Sequence, residues 1–366
     1  MKNILINYLG RKGAGAVFSY EMTKGLIENG ANVYAIIPKT IENLQEWEKL
    51  QLKKLITIET YNDTKSFIFG LCRYFVKDRN RIQREFSSVK IDTIYIPMLQ
   101  PWAEFVNSMF PNARLITTLH DPIPHSGSRS VMNFLYTRVA KKSSDIIILS
   151  EVFKKETSEI YGIPENRIHV IPHGVFDYYS TYQPGVIERT SNINFLFFGR
   201  ITRYKGLHVL AQAYKKLHQE YQDTSLFVVG SGDFSEYKDE FSDENNITVV
   251  NRFINDDELV AYFRGKNIVT VLPYTDATQS GVIPIAMKEQ SLLIVSNKGG
   301  LVEQTKNGKY AILVEPSPEP LYKAMKDVVE NYNQYSNLLI DAKKYIETLS
   351  WDRLSNKLLG IIENDI

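Results

Sequence analysis

Short apolar runs alternate with amphipathic segments along the first half of the chain. The runs are rich in β-branched residues and predict buried strands at 2–7, 32–37, 93–97, 113–119, 145–149 and 168–171. Helical spacing fills the intervals, as in the segment from Phe18 to Asn29, where Gly30 follows at a position typical of helix ends. This order predicts an α/β fold whose parallel strands carry helices on both faces.

The pattern begins again after a polar, aperiodic segment from Val175 to Ser191, which we interpret as a linker. Further strands are predicted at 194–198, 225–229, 247–250, 269–272, 292–295 and 310–314, with a helix at 207–221. The 366 residues are too many for one typical core. We therefore predict a Rossmann-like doubly wound domain over 1–178, a second over 179–350, and a helix over 351–366 that returns toward the first. Two such domains facing each other enclose a central cleft at the carboxyl ends of their strands.

The composition narrows the class of protein. Hydrophobic residues make up 43% and charged residues 23% of the chain, as is usual for globular proteins. No apolar run approaches the roughly 18 residues of a membrane helix, and the first residues resemble a strand rather than a signal peptide. A cytoplasmic protein is therefore expected. The single cysteine, Cys72, excludes an internal disulfide and a thiolate metal cluster.

Basic residues are concentrated in the stretch 73–90. Its members are Arg73, Lys77, Arg79, Arg81, Arg84 and Lys90, interleaved with Tyr74, Phe75 and Phe86. One interpretation is a solvated helix face. The other is contact with anionic lipid headgroups or a phosphorylated acceptor, which would place the protein peripherally on the inner face of the membrane. Nucleic acid is not an expected partner, because the net charge is only +1 and no recognition module is present.

The stretch from Tyr274 to Met287 is the first candidate for a binding site. It follows the apolar run 267–273, and small polar residues with Gly281 precede a helical segment. Amides at such a strand-to-helix turn can bind an anion, although an ordinary connection has the same pattern. Asp276, Gln279, Ser280 and Val282 belong to this candidate site.

Two further turns of the second half carry glycine or cations at strand ends. Gly199-Arg200 follows the strand 194–198, Lys205 comes just before a helix, and Gly230 ends the strand 225–229. Arginine and lysine beside open backbone amides suit a diphosphate, and glycine lets a ligand approach closely. Surface cations and plain turn chemistry are the alternative interpretations.

The first half offers a glycine-rich loop and a histidine. Gly13, Ala14 and Gly15 lie between a strand and a helix, where they serve either a ligand or close helix–strand packing. His120 follows the strand 113–119 and has two interpretations, a structural residue or one that bonds a sugar hydroxyl or carries a proton. No metal-ligand spacing is present, so no metal site is expected.

The order of these motifs resembles that of the retaining GT-B glycosyltransferases of family 4. In the second half the resemblance lies in residues 197–206, 228–232 and 271–287. In the first half it lies in Gly13-Ala14, the helix and strand entry at 26–33, His120-Asp121, Ser150, 161–164 and 170–175, and near the C-terminus in 349–351. Each piece is weak, but the ordered set spans nearly the whole chain.

The resemblance implies a metal-independent, retaining transferase of hexosyl or N-acetylhexosaminyl type. The donor would be a UDP- or GDP-linked sugar, which is a co-substrate, with no cofactor required. The acceptor would be a glycan or lipid-linked molecule in polysaccharide or cell-surface glycan synthesis. The catalytic residues implied are His120, Arg200 and Lys205. The donor-binding residues implied are Gly13, Ala14, Gly15, Gly199, Gly230, Arg252, Phe253, Asp276, Gln279, Ser280, Gly281 and Val282.

Within this resemblance, Arg200 and Lys205 would clamp the diphosphate, and amides near Ser280 to Val282 would meet the phosphates or the sugar. The backbone around Arg252 to Ile254 would face the base, and His120 would lie near the transferred sugar. The two cations would stabilise the leaving phosphate in place of a divalent metal.

The chain departs from the family at two positions. Relatives usually carry two glutamates eight positions apart, where this chain has Ala277 and Ile285. Asp276 is the nearest substitute for the sugar contact, and Glu289 is a remote candidate for the ribose contact. A catalytically silent GT-B protein that serves as a sugar-binding or assembly partner is the alternative function. An epimerase or phosphorylase of the same fold is a third, without a motif in its favour.

Overall fold

The structure is a computed structural model that describes residues 2–60, 70–100, 102–123, 131–183, 185–189, 191–241 and 246–364. It consists of two compact units. Unit 1 comprises Met1–Gly174 together with Ser350–Ile366, and unit 2 comprises Val175–Leu349. Sequence prediction set the first boundary at 178, a few residues beyond the one that the structure has.

Unit 1 is built on a parallel sheet. Its strands are β1 (Asn3–Asn7), β2 (Asn32–Pro38), β3 (Lys54–Ile58), β4 (Thr93–Ile96), β5 (Arg114–Leu119), β6 (Asp145–Ile148) and β7 (Ile168–Val170). Its helices are α1 (Ala14–Glu28), α2 (Leu44–Lys49), α3 (Arg79–Glu85), α4 (Ala103–Asn107), α5 (Val131–Lys142) and α6 (Lys154–Tyr161). The strand order is β3-β2-β1-β4-β5-β6-β7 across the described residues, so the order reverses between β1 and β4. A π-helical turn, Tyr74–Asp78, leads into α3.

Unit 2 repeats this arrangement with a shorter sheet. Its strands are β8 (Ile193–Phe198), β9 (Thr224–Gly230), β10 (Ile247–Asn251), β11 (Ile268–Leu272), β12 (Leu292–Ser296) and β13 (Ile312–Val314). Its helices are α7 (Leu207–Glu220), α8 (Asp256–Phe263), α9 (Val282–Lys288), α10 (Gly299–Gln304), α11 (Pro318–Asn331) and α12 (Ser336–Glu347). The order is β10-β9-β8-β11-β12-β13 across the described residues, with every pair parallel.

The central strands lie wholly inside the two cores. All residues of β11 and β12 are buried, and so are all residues of β4 and β6. Helices cover both faces of a parallel sheet, so its strands are continuous apolar runs without alternation. This explains why the hydrophobic pattern of the sequence predicts them well.

The last helix, α13 (Trp351–Glu363), belongs to unit 1 and packs on α1. Gly25 permits the close approach, since a Cβ atom there would lie 2.4 Å from the Ser355 Oγ. At the far end of α13, Lys2 Nζ donates to the Ile362 carbonyl at 2.8 Å. Arg114 Nη1 donates to the carbonyls of Ile361 and Asn364, both at 3.0 Å. Cations therefore satisfy the carbonyls that a helix leaves open at its C-terminus.

Arg114 itself is held by Asp145 in the core of unit 1. Its Nη2 and Nε donate to Asp145 Oδ2 at 2.7 and 3.0 Å, and His169 Nε2 lies 3.0 Å from Oδ1. Burial alone would raise the pKa of Asp145, but hydrogen bonds from His169 and Arg114 lower it to about 2. The carboxylate is therefore ionised at neutral pH and anchors the residue that holds α13.

Three sequence-based expectations need correction. The helix α1 begins at Ala14 rather than Phe18, so Ala14 and Gly15 lie in its first turn. The edge strand β3 was not predicted, because Lys54–Ile58 is short and only partly buried. The segment that begins at Val175 is not a purely polar linker. Buried apolar and aromatic side chains occupy its first part: Val175, Phe176, Tyr178 and Tyr179.

Candidate functional site

Two loops of unit 2 meet at the topological switch point of its sheet. The order of the strands reverses between β8 and β11, which are neighbours. The loop 199–206 follows β8, and the loop 273–281 follows β11. Ligands of open α/β sheets bind beside such a reversal, at the carboxyl ends of the strands.

Backbone contacts lock these two loops together. Gly206 has a φ of +71°, and a Cβ atom there would lie 1.9 Å from the carbonyl oxygen of Pro273. The Tyr204 carbonyl accepts hydrogen bonds from the Thr275 amide at 2.8 Å and from its Oγ1 at 3.2 Å. Only glycine fits this position, so the two loops form one block.

This block carries two cationic side chains. Arg200 follows Gly199 directly and is exposed, whereas Lys205 is half-buried just before α7. The Lys205 Nζ lies 3.6 Å from the centroid of the Tyr274 ring. Burial raises the pKa of Tyr274 to about 12, so the ring is a neutral phenol at neutral pH. A guanidinium and an ammonium on one loop can together neutralise a diphosphate.

The turn before α9 is held from inside the unit by Gln304. The Ser280 amide donates to Gln304 Oε1 at 2.8 Å, and Gln304 Nε2 donates to the Ser280 carbonyl at 3.2 Å. The Val282 amide donates to Ser280 Oγ at 3.3 Å. Two of the amides that sequence reasoning assigned to a ligand therefore already have acceptors within the protein. Gly281 lies between them as the residue that precedes α9.

Gln279 and Asp276 lie on the same loop. The Oε1 of Gln279 is buried and has no hydrogen-bond partner among the described residues. Asp276 is exposed, one position before the buried Ala277. Buried polar atoms are nearly always hydrogen-bonded, so a buried oxygen without a donor is an unusual feature of this loop.

Glycines 199 and 230 pack against each other. A Cβ atom on Gly230 would lie 1.8 Å from the Gly199 carbonyl oxygen, and both residues have a positive φ. This close packing explains why the residue after β8 and the last residue of β9 are both glycine. Their predicted role in donor binding stays a prediction.

Arg252 and Phe253 follow β10 at the same edge of the sheet. The Arg252 guanidinium is paired with Glu258 of α8 through both nitrogens, at 2.8 and 2.5 Å. Phe253 exposes 43% of its surface. The arginine side chain thus fixes α8 to the loop, while the aromatic side chain is accessible to a planar ligand.

The positions of the missing glutamates are apolar and buried, since Ala277 and Ile285 both belong to the core. Glu289 does not replace them. Its carboxylate accepts a hydrogen bond from Arg264 Nε at 2.7 Å, and Arg264 lies between α8 and β11, at the amino edge of the sheet. The expectation that Glu289 reaches a ribose is therefore wrong.

In unit 1, His120 follows β5 and is buried. Its Nε2 lies 3.0 Å from the Pro97 carbonyl, which can only accept, so Nε2 carries the proton and Nδ1 is the acceptor of the neutral ring. Burial lowers the pKa of His120, so the ring is neutral at neutral pH. It can accept a proton or a hydroxyl hydrogen bond, but it is not a cationic group.

A second histidine, His173, lies beside it. The two ring centroids are 6.5 Å apart, and the Phe18 ring contacts His120 at 4.5 Å and His173 at 5.6 Å. Burial lowers the pKa of His173 to about 4, together with the repulsion that a protonated His120 would exert on a protonated His173. In the sequence, His173 is noted only as a member of the segment 170–175, which contributes to the family resemblance. The available signal was that both histidines come shortly after a strand, β5 for His120 and β7 for His173, and these strands flank β6.

The glycine-rich loop of unit 1 faces one of the protein's own carboxylates. The Gly13 amide donates to Glu42 Oε1 at 2.5 Å, just before α1 begins. Burial raises the pKa of Glu42, while the hydrogen bond from Gly13 and the charge of Lys12 oppose that rise. A Cβ atom on Gly15 would lie 2.5 Å from the Met98 sulfur. The local structure therefore explains why positions 13 and 15 are glycine. The predicted contact of residues 13–15 with the donor stays a prediction.

No group of three or more His, Cys, Asp or Glu side chains within the described ranges is arranged to hold a metal ion. In the same part of the chain, every helix is too short or too polar to cross a membrane.

Two doubly wound units of this kind define the GT-B class of α/β folds, and solved structures share it. The Anabaena protein HepE in complex with UDP-glucose matches with a TM-score of 0.71 at 17% identity, over 97% of this chain and 99% of that one. The sucrose-phosphate synthase of Thermosynechococcus elongatus matches with a TM-score of 0.73 at 16% identity, over 98% of both chains.

Two family profiles cover most of the sequence. One, described as Glycosyltransferase Family 4, matches residues 15–176, and the other, described as Glycosyl transferases group 1, matches residues 192–331. An uncharacterized glycosyltransferase of Methanocaldococcus jannaschii is 24% identical over 91% of this chain and 84% of its own length. The chain therefore belongs to the group 1, family 4 glycosyltransferases and is a glycosyltransferase, as the order of its motifs predicts.

Proposed function

We propose that the protein transfers a hexosyl or N-acetylhexosaminyl-type group, with retention, from a UDP- or GDP-linked donor. The observation that carries this proposal is the block of two loops at the switch point of unit 2, which holds Arg200 and Lys205. Retaining transfer needs a leaving diphosphate that is stabilised as charge develops, and fixed cations can do this without a metal. The UDP-glucose complex of the HepE neighbour supports a UDP-linked donor.

The acceptor is proposed to be a glycan or a lipid-linked molecule, in the synthesis of a polysaccharide or cell-surface glycan. A capsular polysaccharide biosynthesis glycosyltransferase of Staphylococcus aureus, 25% identical over 51% of this chain and 52% of its own length, supports this choice. His120, buried and neutral with Nδ1 as an acceptor, is proposed to contact the transferred sugar through a hydroxyl.

The donor site is tested by calorimetry and by donor hydrolysis with a panel of UDP- and GDP-sugars. Arg200→Ala and Lys205→Ala should each lower kcat/KM by roughly 100-fold, the effect of removing one preorganised donor of charge stabilisation. Lys266→Ala is the matched control, because Lys266 is an exposed lysine of the same unit that precedes β11 instead of following it. No turnover and no binding across the panel would contradict the proposal, whereas binding without turnover would favour the catalytically silent protein.

Peripheral membrane contact is proposed for the turn that leads into α3. Phe75 and Val76 expose 48% and 76% of their surfaces, beside the exposed Lys77 and Arg79. Other cations of the stretch are paired, as in Arg73 with Glu59 at 2.5 Å and Lys90 with Asp92 at 3.1 Å. Exposed apolar side chains between cations are the combination that anionic lipid surfaces bind.

Flotation with vesicles of anionic or zwitterionic lipid tests this contact. Binding to anionic vesicles should fall in a Lys77→Glu, Arg79→Glu variant and stay unchanged in Lys24→Glu, a charge reversal on α1. Equal flotation of all three proteins would contradict the membrane contact and leave a solvated helix face.

A further inference from the structure

The Lys205 ammonium lies close against the face of an aromatic ring. Its Nζ is 3.6 Å from the Tyr274 centroid, whereas the other cation–ring pairs span 4.2 to 5.6 Å. A cation over the face of a ring is attracted by the ring quadrupole, and the attraction grows where water is excluded. Tyr274 is fully buried, so its ring offers such a face.

The ring is held in place from two directions. Its hydroxyl lies 3.4 Å from Ser280 Oγ, and the backbone of Ser280 is fixed by both polar atoms of Gln304. On the other side, the carbonyl of Pro273 packs against Gly206, the neighbour of Lys205. Both members of the cation–ring pair therefore belong to one fixed block.

A lysine side chain has four rotatable bonds and loses considerable conformational entropy when it binds a ligand. A ring that holds the ammonium before the ligand arrives removes much of this cost. The ring attracts the charge as a whole, so the N–H groups can still donate to oxygen atoms of a diphosphate.

We infer that Tyr274 is a positioning residue, whose buried ring holds the Lys205 ammonium where a diphosphate-linked donor binds, while Gln304 fixes the Ser280 turn behind it. The inference rests on the proposed donor site. Both family glutamates are missing from this loop. According to the inference, the Tyr274 ring and the side-chain amide of Gln304 hold the loop in place instead.

A series of phenylalanine analogues at position 274 tests the inference. Tyr274→Phe and its mono-, di- and trifluorinated analogues have nearly the same shape, but each fluorine weakens the face of the ring. The Kd of UDP and of GDP should be within about twofold of wild type for the unfluorinated variant and should rise stepwise to roughly tenfold for the trifluorinated one. The same series in a Lys205→Ala background should leave the Kd unchanged.

The outcomes separate this inference from the donor-site proposal. If Lys205→Ala weakens nucleotide binding but the fluorinated series is flat, the positioning role is wrong and the donor site stands. If neither nucleotide binds the wild-type protein, or Lys205→Ala binds like wild type, the donor site and the inference fail together. Melting temperatures of the series, which should stay close to one another, identify any variant whose fold has changed.

A ligand-free measurement tests the contact directly. In protein with isotopically labelled lysine, the ε-methylene protons of Lys205 should resonate upfield, because their carbon is bonded to the Nζ atom that lies over the ring. The upfield signal should persist in Tyr274→Phe and vanish in Tyr274→Leu and in Lys205→Arg. A Lys205 signal at the position of exposed lysines in the wild-type protein would overturn the inference.

Discussion

Unit 1 and unit 2 share one strand order, apart from the additional edge strand β7 of unit 1, yet the loops at the carboxyl ends of their strands carry different chemistry. In unit 2, the loop after β8 carries Arg200 and Lys205, and the loop after β11 places Tyr274 beside Lys205. In unit 1, the loop after β1 brings Gly13 to the carboxylate of Glu42, and the loop after β5 carries a neutral histidine. The fold thus supplies the position of a site, while a few loop residues decide which ligand charge it accepts.

The comparison also explains how the two sites are stabilised. Unit 2 fixes its site by backbone contact between loops, through glycines that no other residue can replace. Unit 1 fixes its histidines in an aromatic cluster with Phe18 and Trp351, so that burial keeps them uncharged. Disrupting the loop contacts of unit 2 should change its backbone conformation. Disrupting the aromatic cluster of unit 1 should change how the stability of that unit depends on pH.

The largest effect is expected for Gly206→Ala. A methyl group 1.9 Å from the Pro273 carbonyl, at a φ of +71°, forces the two loops apart. We expect unit 2 to lose more than about 5 kcal/mol of stability, with faster amide exchange in β8 and β11. Gly360→Ala is the control, since no atom lies within 4 Å of its Cβ position, and it should be neutral or slightly stabilising. Unchanged exchange in Gly206→Ala would contradict the locked block.

Arg114→Met should have the next largest effect, confined to unit 1. It removes two hydrogen bonds to one oxygen of the buried Asp145, and it leaves Lys2 as the remaining cation at the end of α13. A loss of about 3 kcal/mol is expected, the lower end for broken buried ion pairs, because Arg167 still pairs with Asp145. Because all three tryptophans, Trp47, Trp102 and Trp351, belong to unit 1, tryptophan fluorescence during denaturant unfolding reports this loss. Lys357→Met, an exposed change on α13, should leave the midpoint in place; an equal shift in both variants would refute the role of Arg114.

The stability of unit 1 should fall in mild acid. The pKa of His173 in the folded protein is about 4, below the ordinary 6.5, so the unfolded chain binds more protons between these values. The contribution of about 3 kcal/mol is fully present above pH 6.5 and is lost as the pH falls toward 4. Unfolding curves at pH 7.5 and 5 measure it.

The slope with pH should be reduced in His173→Gln and kept in Phe18→Leu. The second variant disturbs the same cluster but retains both imidazoles. A wild-type protein with equal stability at both pH values would contradict the neutral histidine pair.

Ser280→Ala should have the smallest effect, about 1 kcal/mol on unit 2. It removes the acceptor of the Val282 amide and the hydroxyl next to Tyr274, while the two bonds from Gln304 to its backbone stay. Thermal unfolding followed by circular dichroism measures the loss. Ser336→Ala, which removes an exposed hydroxyl bonded to Asn333, is the reference for a simple serine deletion. A loss of several kcal/mol in Ser280→Ala would mean that Gln304 does not hold the turn by itself.

Most of the fold could be predicted because buried parallel strands are continuous apolar runs. The position of Arg200 at the carboxyl edge followed from the same runs, since the residues just after a strand must lie at that edge, and Lys205 belongs to the same loop. The start of α1 was missed, because Ala14 and Gly15 are small residues typical of loops as well as of tightly packed helices.

The contacts that organise the sites could not be predicted. Gln304 lies 24 residues from Ser280, and Glu42 lies 29 residues from Gly13, with no periodicity to connect either pair. The neutral state of His120 and His173 depends on burial by Phe18 and Trp351, which come from distant parts of the chain. Such contacts exist only after the sheets have formed.

The placement of α13 has a consequence for synthesis on the ribosome. This helix follows all of unit 2 in the sequence, yet it covers α1 and receives hydrogen bonds from Lys2 and Arg114. The growing chain therefore cannot complete unit 1 until unit 2 has emerged. Unit 2 is continuous, and the Val175 amide bonds to the Leu349 carbonyl at 3.1 Å, so its two ends meet and it can fold first. During translation, the face of α1 that this helix covers therefore stays exposed to solvent until the last residues have been made.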